Sequence, residues 1–365
     1  MNSTNLVPSP DVLPLPAPVF LLHFLLLLTF FVHVIFMNCM LGGVLLAVWS
    51  RARSRTPGDA HGLLADQVAK ILPTLVAGTV TFGVAPLLFL QVLFGQFLFS
   101  SSVIMGWPWF SVVPILILAY YGTYLQSFAA EKLGSFRLPL FILTALLFVT
   151  IAFIYTNNVT LMLRPDRWGE IYFANPSGTN LNSGEPMLLS RYLHMVFGAV
   201  AIAGLFVAWL GRFKQKSDPA QAAFLRRYGL SVFTWLTAVN IGVGLWFYLT
   251  LVSPVRKLMM GGSLAATILF GLGVILSVVL LGLVARAKLS RSGGGLVLAT
   301  VVAAVTLADM ILLRDRVRAG YLDGIYAPES FPLQTQVFNL VLFALLLVGG
   351  LVTVIWMLRK LRAAW

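Results

Sequence analysis

The sequence predicts an all-α fold, a polytopic membrane bundle of about nine transmembrane helices. Two observations lead to this fold class. The chain of 365 residues is 59% hydrophobic and only 10% charged, with a mean hydropathy of +0.92, whereas soluble domains are about 45–50% apolar and about 25% charged. Apolar runs such as 24–48, 232–252 and 337–357 each reach the roughly 20 residues with which a helix crosses a hydrocarbon layer of ~30 Å.

The predicted spans follow one another along the chain as a single domain over residues 1–365. Pro57 and Gly58 mark the turn after the first span, and Pro219 marks a later one, because such residues interrupt helices. Two connections on the opposite side are long, residues 163–186 and 314–332. The nine spans are 18–50, 68–98, 107–130, 138–162, 187–211, 228–252, 255–285, 294–313 and 333–358.

Basic residues collect in alternate connections, and this distribution predicts the topology. Arg51, Arg53, Arg286 and Arg359 belong to one set of connections, which carries most of the net charge of +13, whereas acids and bases nearly balance in the other set. By the positive-inside rule the N-terminus lies outside and the C-terminus is cytoplasmic. The surplus is therefore a topology signal and not a nucleic-acid surface. We expect a multi-pass protein of a bacterial-type inner (cytoplasmic) membrane, surrounded by lipid.

Cys39 is the one cysteine of the sequence. Intrachain disulfides, multi-cysteine metal sites and covalent haem attachment through Cys-x-x-Cys-His are thereby excluded. Ionisable side chains inside spans are costly and by default mark functional sites. The histidines of the predicted spans, His23, His33 and His194, are therefore the first candidates for ligands.

His194 and Met259 both lie a few residues into spans that start outside, the fifth and the seventh. They are therefore predicted at similar depth, and a His/Met pair on facing helices is a standard axial ligand set of a low-spin haem. The alternative for Met259 is packing, since methionine commonly fills apolar gaps.

His23 and His33 lie ten residues apart on the first span. At ~1.5 Å and ~100° per residue they are ~15 Å apart along the helix and ~80° apart around it, too far to share one iron. We therefore expect separate roles. The alternative for His23 is an interfacial histidine that contacts headgroups or loop carbonyls.

Four segments resemble subunit I of the cytochrome bd quinol oxidases, a nine-span family with its N-terminus outside. The first-span segment 33–42 has a His followed nine residues later by Gly, and segment 83–95 has Gly-Val-Ala followed after seven residues by Leu-Phe-Gly. Segment 191–194 is similar to the family's fifth-span haem histidine motif, and 257–261 to its methionine ligand motif. The resemblance implies that His194 and Met259 ligate a six-coordinate haem b, and that His33 ligates a deeper haem.

Three further residues could contact a cofactor. Asp309 is the one carboxylate well inside a span, near the place where the family has a haem-ligating glutamate. It is a candidate for a ligand or proton role, with a salt bridge inside the membrane as the alternative. Arg314 and Arg316 could pair with haem propionates through bidentate hydrogen bonds, or they could form a solvated flank.

Two departures from the family pattern concern its chemistry. Gln91 stands where the family has Glu, and Leu118 and Gln126 stand at its third-span carboxylates. Neutral side chains cannot relay protons as carboxylates do. About three residues around Ser253 and Pro254 separate the sixth and seventh spans, where the family has a large quinol-oxidising loop. Its usual oxygen-reducing and quinol sites are therefore not expected.

We interpret the sequence as a membrane-embedded b-type cytochrome subunit that transfers electrons within a respiratory complex. Its expected partners are other membrane subunits and an outer-side redox protein such as a cytochrome c, and quinone is a further candidate. One alternative is a terminal oxidase that reduces oxygen with quinol or cytochrome c as donor. A second, from another class, is a haem-free transporter or assembly subunit, although beyond Asn157, Asn158, Asn240 and Asp309 few polar groups could form a transport site.

Overall fold

The computed structural model describes residues 14–289 and 294–363. Eight of the described helices are long and apolar enough to cross a membrane, so the predicted helical membrane bundle is confirmed. The helices are α1 (Val19–Arg53), α2 (Ala60–Met105), α3 (Trp107–Phe128), α4 (Ala130–Leu133), α5 (Arg137–Met162), α6 (Trp168–Ala174), α7 (Pro186–Phe213), α8 (Pro219–Thr250), α9 (Ser253–Lys257), α10 (Leu264–Leu289), α11 (Gly294–Leu322) and α12 (Val337–Ala363).

The ninth predicted span, 333–358, corresponds to α12. This helix has 27 residues, and its segment Val337–Thr353 is apolar. Leu340 packs on the core and the Phe343 ring meets Phe89 at 6.0 Å, whereas many other apolar side chains of α12 are exposed. The helix therefore lies at the edge of the bundle.

Close helix contacts form around α1, which packs against both α2 and α7, while α7 packs against α8. Small residues allow these approaches. A Cβ atom built on Gly42 of α1 would lie 2.2 Å from the carbonyl oxygen of Ala199, and one on Gly204 of α7 would lie 2.7 Å from the carbonyl oxygen of Gly229. Backbone-to-backbone packing of this kind is typical of membrane helices.

Helix α2 has 46 residues and is interrupted at Phe94, whose φ of −135° and ψ of 29° are not helical. Two prolines, Pro73 and Pro86, also lie inside it. The hydroxyl of Tyr326 donates to the carbonyl oxygen of Leu93, next to the interruption. Burial raises the pKa of Tyr326 to about 12, so the hydroxyl stays a donor over the physiological range and ties the loop after α11 to α2.

The end of the bundle that holds the connections α5–α7 and α11–α12 is called the outer end, after the predicted topology. The connection predicted at 314–332 is shorter than expected, because α11 continues to Leu322. Asp315, Val317 and Tyr321 are buried there and Arg318 bonds Asp315, which stabilises the extra turns. Within predicted loop 163–186, α6 forms a short helix.

The seventh predicted span, 255–285, is not one continuous helix. Helix α9 ends at Lys257, a π-helical turn covers Leu258–Gly262, and α10 begins at Leu264. Gly261 has a φ of +102°, a conformation in which glycine is unstrained. The apolar pattern alone could not reveal this break, since both sides of it are hydrophobic.

Candidate functional site

A cavity lies at the outer end between α1, α2, α5, α7 and α11. Apolar side chains form most of its wall, among them Leu26 and Phe30 of α1 and Met162 of α5. Four charged residues also line it: Arg191, Arg314, Asp315 and Arg318. Charged groups at a membrane depth are expensive and mark functional sites by default, so we take this cavity as the centre of the candidate site.

Three guanidinium groups and one carboxylate line the cavity. Arg314 lies over the Phe30 ring at 4.4 Å from its centroid. Arg318 lies over the Phe94 ring at 4.2 Å and donates to Asp315. Nη1 of Arg191 is buried and has no hydrogen-bond partner. The surplus of positive charge favours an anion, above all a carboxylate that accepts the paired hydrogen bonds of a guanidinium group.

His33 lies on α1 one turn further from the outer end than Phe30, with their rings 6.2 Å apart. Its Nδ1 is 3.0 Å from the carbonyl oxygen of Thr79 on α2. A carbonyl oxygen only accepts, so Nδ1 carries the hydrogen and the lone pair lies on Nε2. Histidine ligands of metals commonly donate their second ring nitrogen to such an acceptor. A Cβ atom on Gly83 would lie 2.9 Å from the ring, so the glycine makes room for it.

His23 does not point a free nitrogen into the cavity. Its Nε2 is 2.8 Å from Oδ1 of Asp315 and 3.4 Å from Nη2 of Arg318. This pairing with a carboxylate of α11 differs from both expected roles, iron ligation through Nε2 and contact with headgroups or loop carbonyls. Through Asp315 it belongs to the polar rim of the cavity.

His194 lies on α7, three residues after Arg191. It faces α8, because a Cβ atom on Gly244 would lie 3.0 Å from its Cε1. Its Nδ1 is buried without a hydrogen-bond partner, as is Oδ1 of Asn240, one turn before Gly244 on α8. Asn240 is nevertheless the polar neighbour of this imidazole and interacts with it through both its backbone and its side chain.

Met259 was predicted inside a transmembrane helix, but it lies in the π-helical turn. Its side chain is 3% exposed and packs in the outer core cluster with Val255, Ala266 and Tyr321. This environment matches core packing, which was the alternative to iron ligation for Met259. Among the described residues no set of three or more His, Cys, Asp or Glu side chains is placed to hold a metal ion.

Asp309 and Arg316 lie away from the cavity, although both are on α11. Asp309 is 4% exposed and neither carboxylate oxygen has a hydrogen-bond partner. The salt bridge predicted as its alternative role is therefore not formed within the described chain. Arg316 is exposed, as its predicted alternative of a solvated flank requires.

An ion-pair cluster fixes the start of α7. Glu185, which precedes that helix, has its Oε2 2.6 Å from Nη1 of Arg164 and 3.8 Å from Nη1 of Arg167. The Glu185 side chain is 1% exposed, and this burial raises its pKa although both arginines act in the opposite direction. The contact positions the outer end of α7 and with it Arg191 and His194.

The three positions aligned with family carboxylates differ in their surroundings. Leu118 is 61% exposed on the surface of α3, so it does not face the bundle interior. Gln126 is fully buried and its Nε2 donates to Thr144 at 3.0 Å. Gln91 is half-buried on α2. The connection predicted as about three residues around Ser253 and Pro254 is longer in the structure: both residues lie in the short helix α9, and the next membrane-spanning helix begins at Leu264.

Arg191, Arg318 and Asp315 belong to the site and were not identified from the sequence as site residues. Two signals were present. Arg191 interrupts an apolar run three residues before the candidate ligand His194, and Arg314 and Arg318 have the i, i+4 spacing of one helix face. The prediction that the helix ends at 313 hid the second signal.

No protein-family model and no curated protein sequence matches the chain. Among solved structures, the chain is similar to the bd oxidase from Geobacillus thermodenitrificans, with a TM-score of 0.70 and 15% sequence identity over 95% of this chain and 100% of that chain. At this identity the likeness establishes the fold alone. The polytopic helical bundle predicted from the sequence thus has the fold of a bd oxidase chain.

Proposed function

We propose that the protein is a membrane-embedded b-type cytochrome subunit that transfers electrons within a respiratory complex and resembles cytochrome bd subunit I. The observation that carries the proposal is the set of arginines at the cavity, whose lining residues Phe30 and Arg191 lie one helical turn before His33 and His194. The cavity itself is small, about 20 Å³, so the match to haem b rests on the side chains around it: apolar groups, cationic groups at one end and imidazoles beyond them. Haem b has an apolar ring, two carboxylates and an iron that binds imidazole.

The side chains fit haem b as follows. His33 would hold an iron through Nε2, because its Nδ1–H is engaged by Thr79. His194 would be a ligand of a second haem, together with Met259 as the resemblance implies. Bound haem supplies one-electron transfer chemistry.

Arg191, Arg314 and Arg318 would hold propionates. Arg191 has a buried donor without a partner, and Arg314 is held only by Phe30 among the contacts described above. Arg316 would not share this role, because its side chain is exposed. His23 would act through Asp315, by keeping that carboxylate bonded at the rim.

Electron transfer is favoured over oxygen reduction as the activity. Gln126 is neutral and bonded to Thr144 inside the bundle, and Leu118 faces outward. Neither position supplies a proton to the interior. A terminal oxidase that reduces oxygen with quinol or cytochrome c is the alternative from the same fold.

The expected partners follow from the surfaces. Exposed apolar side chains over the spans meet lipid or further membrane subunits. The connection between α8 and α10 leaves no room for a large quinol loop, so the donor is expected at the outer end, for example a cytochrome c, or a quinone bound elsewhere. The location is a bacterial-type inner membrane.

A reduced-minus-oxidised absorption spectrum of the full-length purified protein, with a pyridine haemochrome assay, tests the proposal. A b-type spectrum with more than one haem per chain is expected. A purified, well-folded chain without haem would contradict the proposal and favour a transporter or assembly subunit.

A further inference from the structure

Asp309 is a buried carboxylate that the site described above does not use. It lies near the middle of α11, 15 residues after Gly294, and is 4% exposed. It faces α10, because a Cβ atom built on Gly273 would lie 2.7 Å from its Oδ2. The bare backbone at Gly273 is what leaves space for the carboxylate between the two helices.

Asp309 has no polar partner. Neither Oδ1 nor Oδ2 has a hydrogen-bond partner. On α10, the nearby Ser277 hydroxyl donates to the Gly273 carbonyl at 2.7 Å instead. No charged group or histidine of α11 or of the helices packed on it forms a hydrogen bond or ion pair with Asp309 in the described chain. These groups are His23, His33, Arg51 and Arg53 of α1, Arg191, His194 and Arg212 of α7, Arg256 and Lys257 of α9, Arg286 and Lys288 of α10, and Arg314, Asp315, Arg316 and Arg318 of α11.

Asp315 on the same helix provides an internal comparison. It is buried to a similar extent, 6% exposed, but it bonds both His23 and Arg318. The two carboxylates therefore share a helix and a degree of burial and differ in their partners. Asp315 has cationic partners that stabilise a negative charge, and Asp309 has none.

An ionised carboxylate buried without a partner costs far more free energy than a neutral carboxyl group, because its charge loses hydration without compensation. We propose that Asp309 is a proton-binding site inside the membrane. The carboxyl group holds a proton between α10 and α11 and exchanges it when a cationic or hydrogen-bonding partner approaches. The site is separate from the arginine-lined cavity and does not depend on the proposed haem function.

A hydrophobic carbodiimide tests the proposal, because it reacts with protonated carboxyl groups within the membrane. Membranes that contain the full-length protein are treated with dicyclohexylcarbodiimide at neutral pH, and the labelled peptides are identified by mass spectrometry. We expect label on the peptide with Asp309 and not on the peptide with Asp315, and loss of the label in Asp309→Asn. No label at Asp309, or equal label at both residues, would overturn the proposal.

Infrared spectroscopy gives a second readout that needs no reagent. A protonated Asp309 contributes a carboxylic-acid carbonyl band that Asp309→Asn removes. Gly273→Ala should shift this band, since the added Cβ would lie 2.7 Å from Oδ2 and 2.0 Å from Cε of the neighbouring Met310, so that the packing around the carboxyl group must change. Gly282→Ala on the same helix is the matched control, because nothing lies within 4 Å of that Cβ. Absence of the band in the unaltered protein, or a band that Asp309→Asn retains, would overturn the proposal.

Discussion

The Nδ1 atom of His33 lies 3.0 Å from the carbonyl oxygen of Thr79, so one hydrogen bond between α1 and α2 sets both the tautomer and the direction of the imidazole. Gly83, one turn along α2, leaves room for the ring, because a Cβ atom there would lie 2.9 Å from it. With Nδ1 engaged, Nε2 is the ring nitrogen that keeps its lone pair, and it is the atom through which the proposed ligand role would operate. Such outer bonds commonly change metal affinity by about 10–100-fold when they are lost.

The first prediction is that His33→Ala removes a haem different from the one lost in His194→Ala. The two histidines lie on different helices and contact different neighbours, Thr79 and Gly244. Haem content by pyridine haemochrome and difference spectra of both variants measure this. A single haem per chain that disappears only in His194→Ala would identify His33 as a packing residue.

The second prediction is that Met259→Leu preserves the fold and converts the His194 haem to a five-coordinate form that binds carbon monoxide. Leucine keeps the apolar volume in the outer core at a typical cost below about 1.5 kcal/mol but cannot ligate iron. Carbon monoxide difference spectra of the reduced variant are the measurement. An unchanged low-spin spectrum would mean that Met259 is a core residue only. Its 3% exposure and its packing in the cluster with Val255 would then be its whole role.

The third prediction concerns charge at the cavity. Arg191→Gln should lower the midpoint potential of a haem by on the order of 60 mV, about 1.4 kcal/mol for one electron, because a nearby positive charge stabilises the reduced iron. Arg316→Gln is the matched control, since Arg316 is exposed on α11. Potentiometric titration distinguishes them. Equal shifts in both variants would mean that the cavity arginines do not contact the cofactor.

The fourth prediction tests the close packing of α1 against α7. Gly42→Ala should destabilise the bundle by about 1–3 kcal/mol, because its Cβ would lie 2.2 Å from the Ala199 carbonyl oxygen and backbone cannot move aside. Gly282→Ala, with nothing within 4 Å of the added Cβ, should leave stability unchanged or raise it by up to about 1 kcal/mol, because alanine has the higher helix propensity. Thermal unfolding in detergent provides the comparison, and equal unfolding temperatures would contradict the observed helix approach.

The helical membrane bundle was predictable because the hydrocarbon thickness imposes a length and polarity on every span. Boundaries inside apolar sequence were not, as the π-helical turn at Met259 and the extension of α11 to Leu322 illustrate. The break is possible because Gly261 adopts a positive φ. The extension of α11 is stabilised by the bond between Arg318 and Asp315 one turn apart and by the burial of Val317 and Tyr321 against the core, which the local pattern does not reveal.

The candidate site was predictable only in part. The rule for ionisable residues in spans identified His33, and Arg314 was identified at the outer end of the eighth span, but the residues that contact the site histidines lie far away in sequence. Thr79 is 46 residues from His33, and Asp315 is 292 residues from His23. A periodicity within one helix cannot reveal such pairs, because only the packing of helices brings them together.

The last prediction is that the isolated protein reduces oxygen slowly or not at all. Oxygen chemistry needs an open iron position and protons delivered through a bundle of low dielectric, and buried carboxylates normally relay them. Gln126 is bonded to Thr144, Leu118 is exposed, and Asp309 faces Gly273 outside the cavity. An iron at His33 is therefore better suited to pass electrons than to form water. Oxygen uptake with a chemical donor measures this directly, and rapid uptake that Asp309→Asn abolishes would establish the oxidase alternative instead.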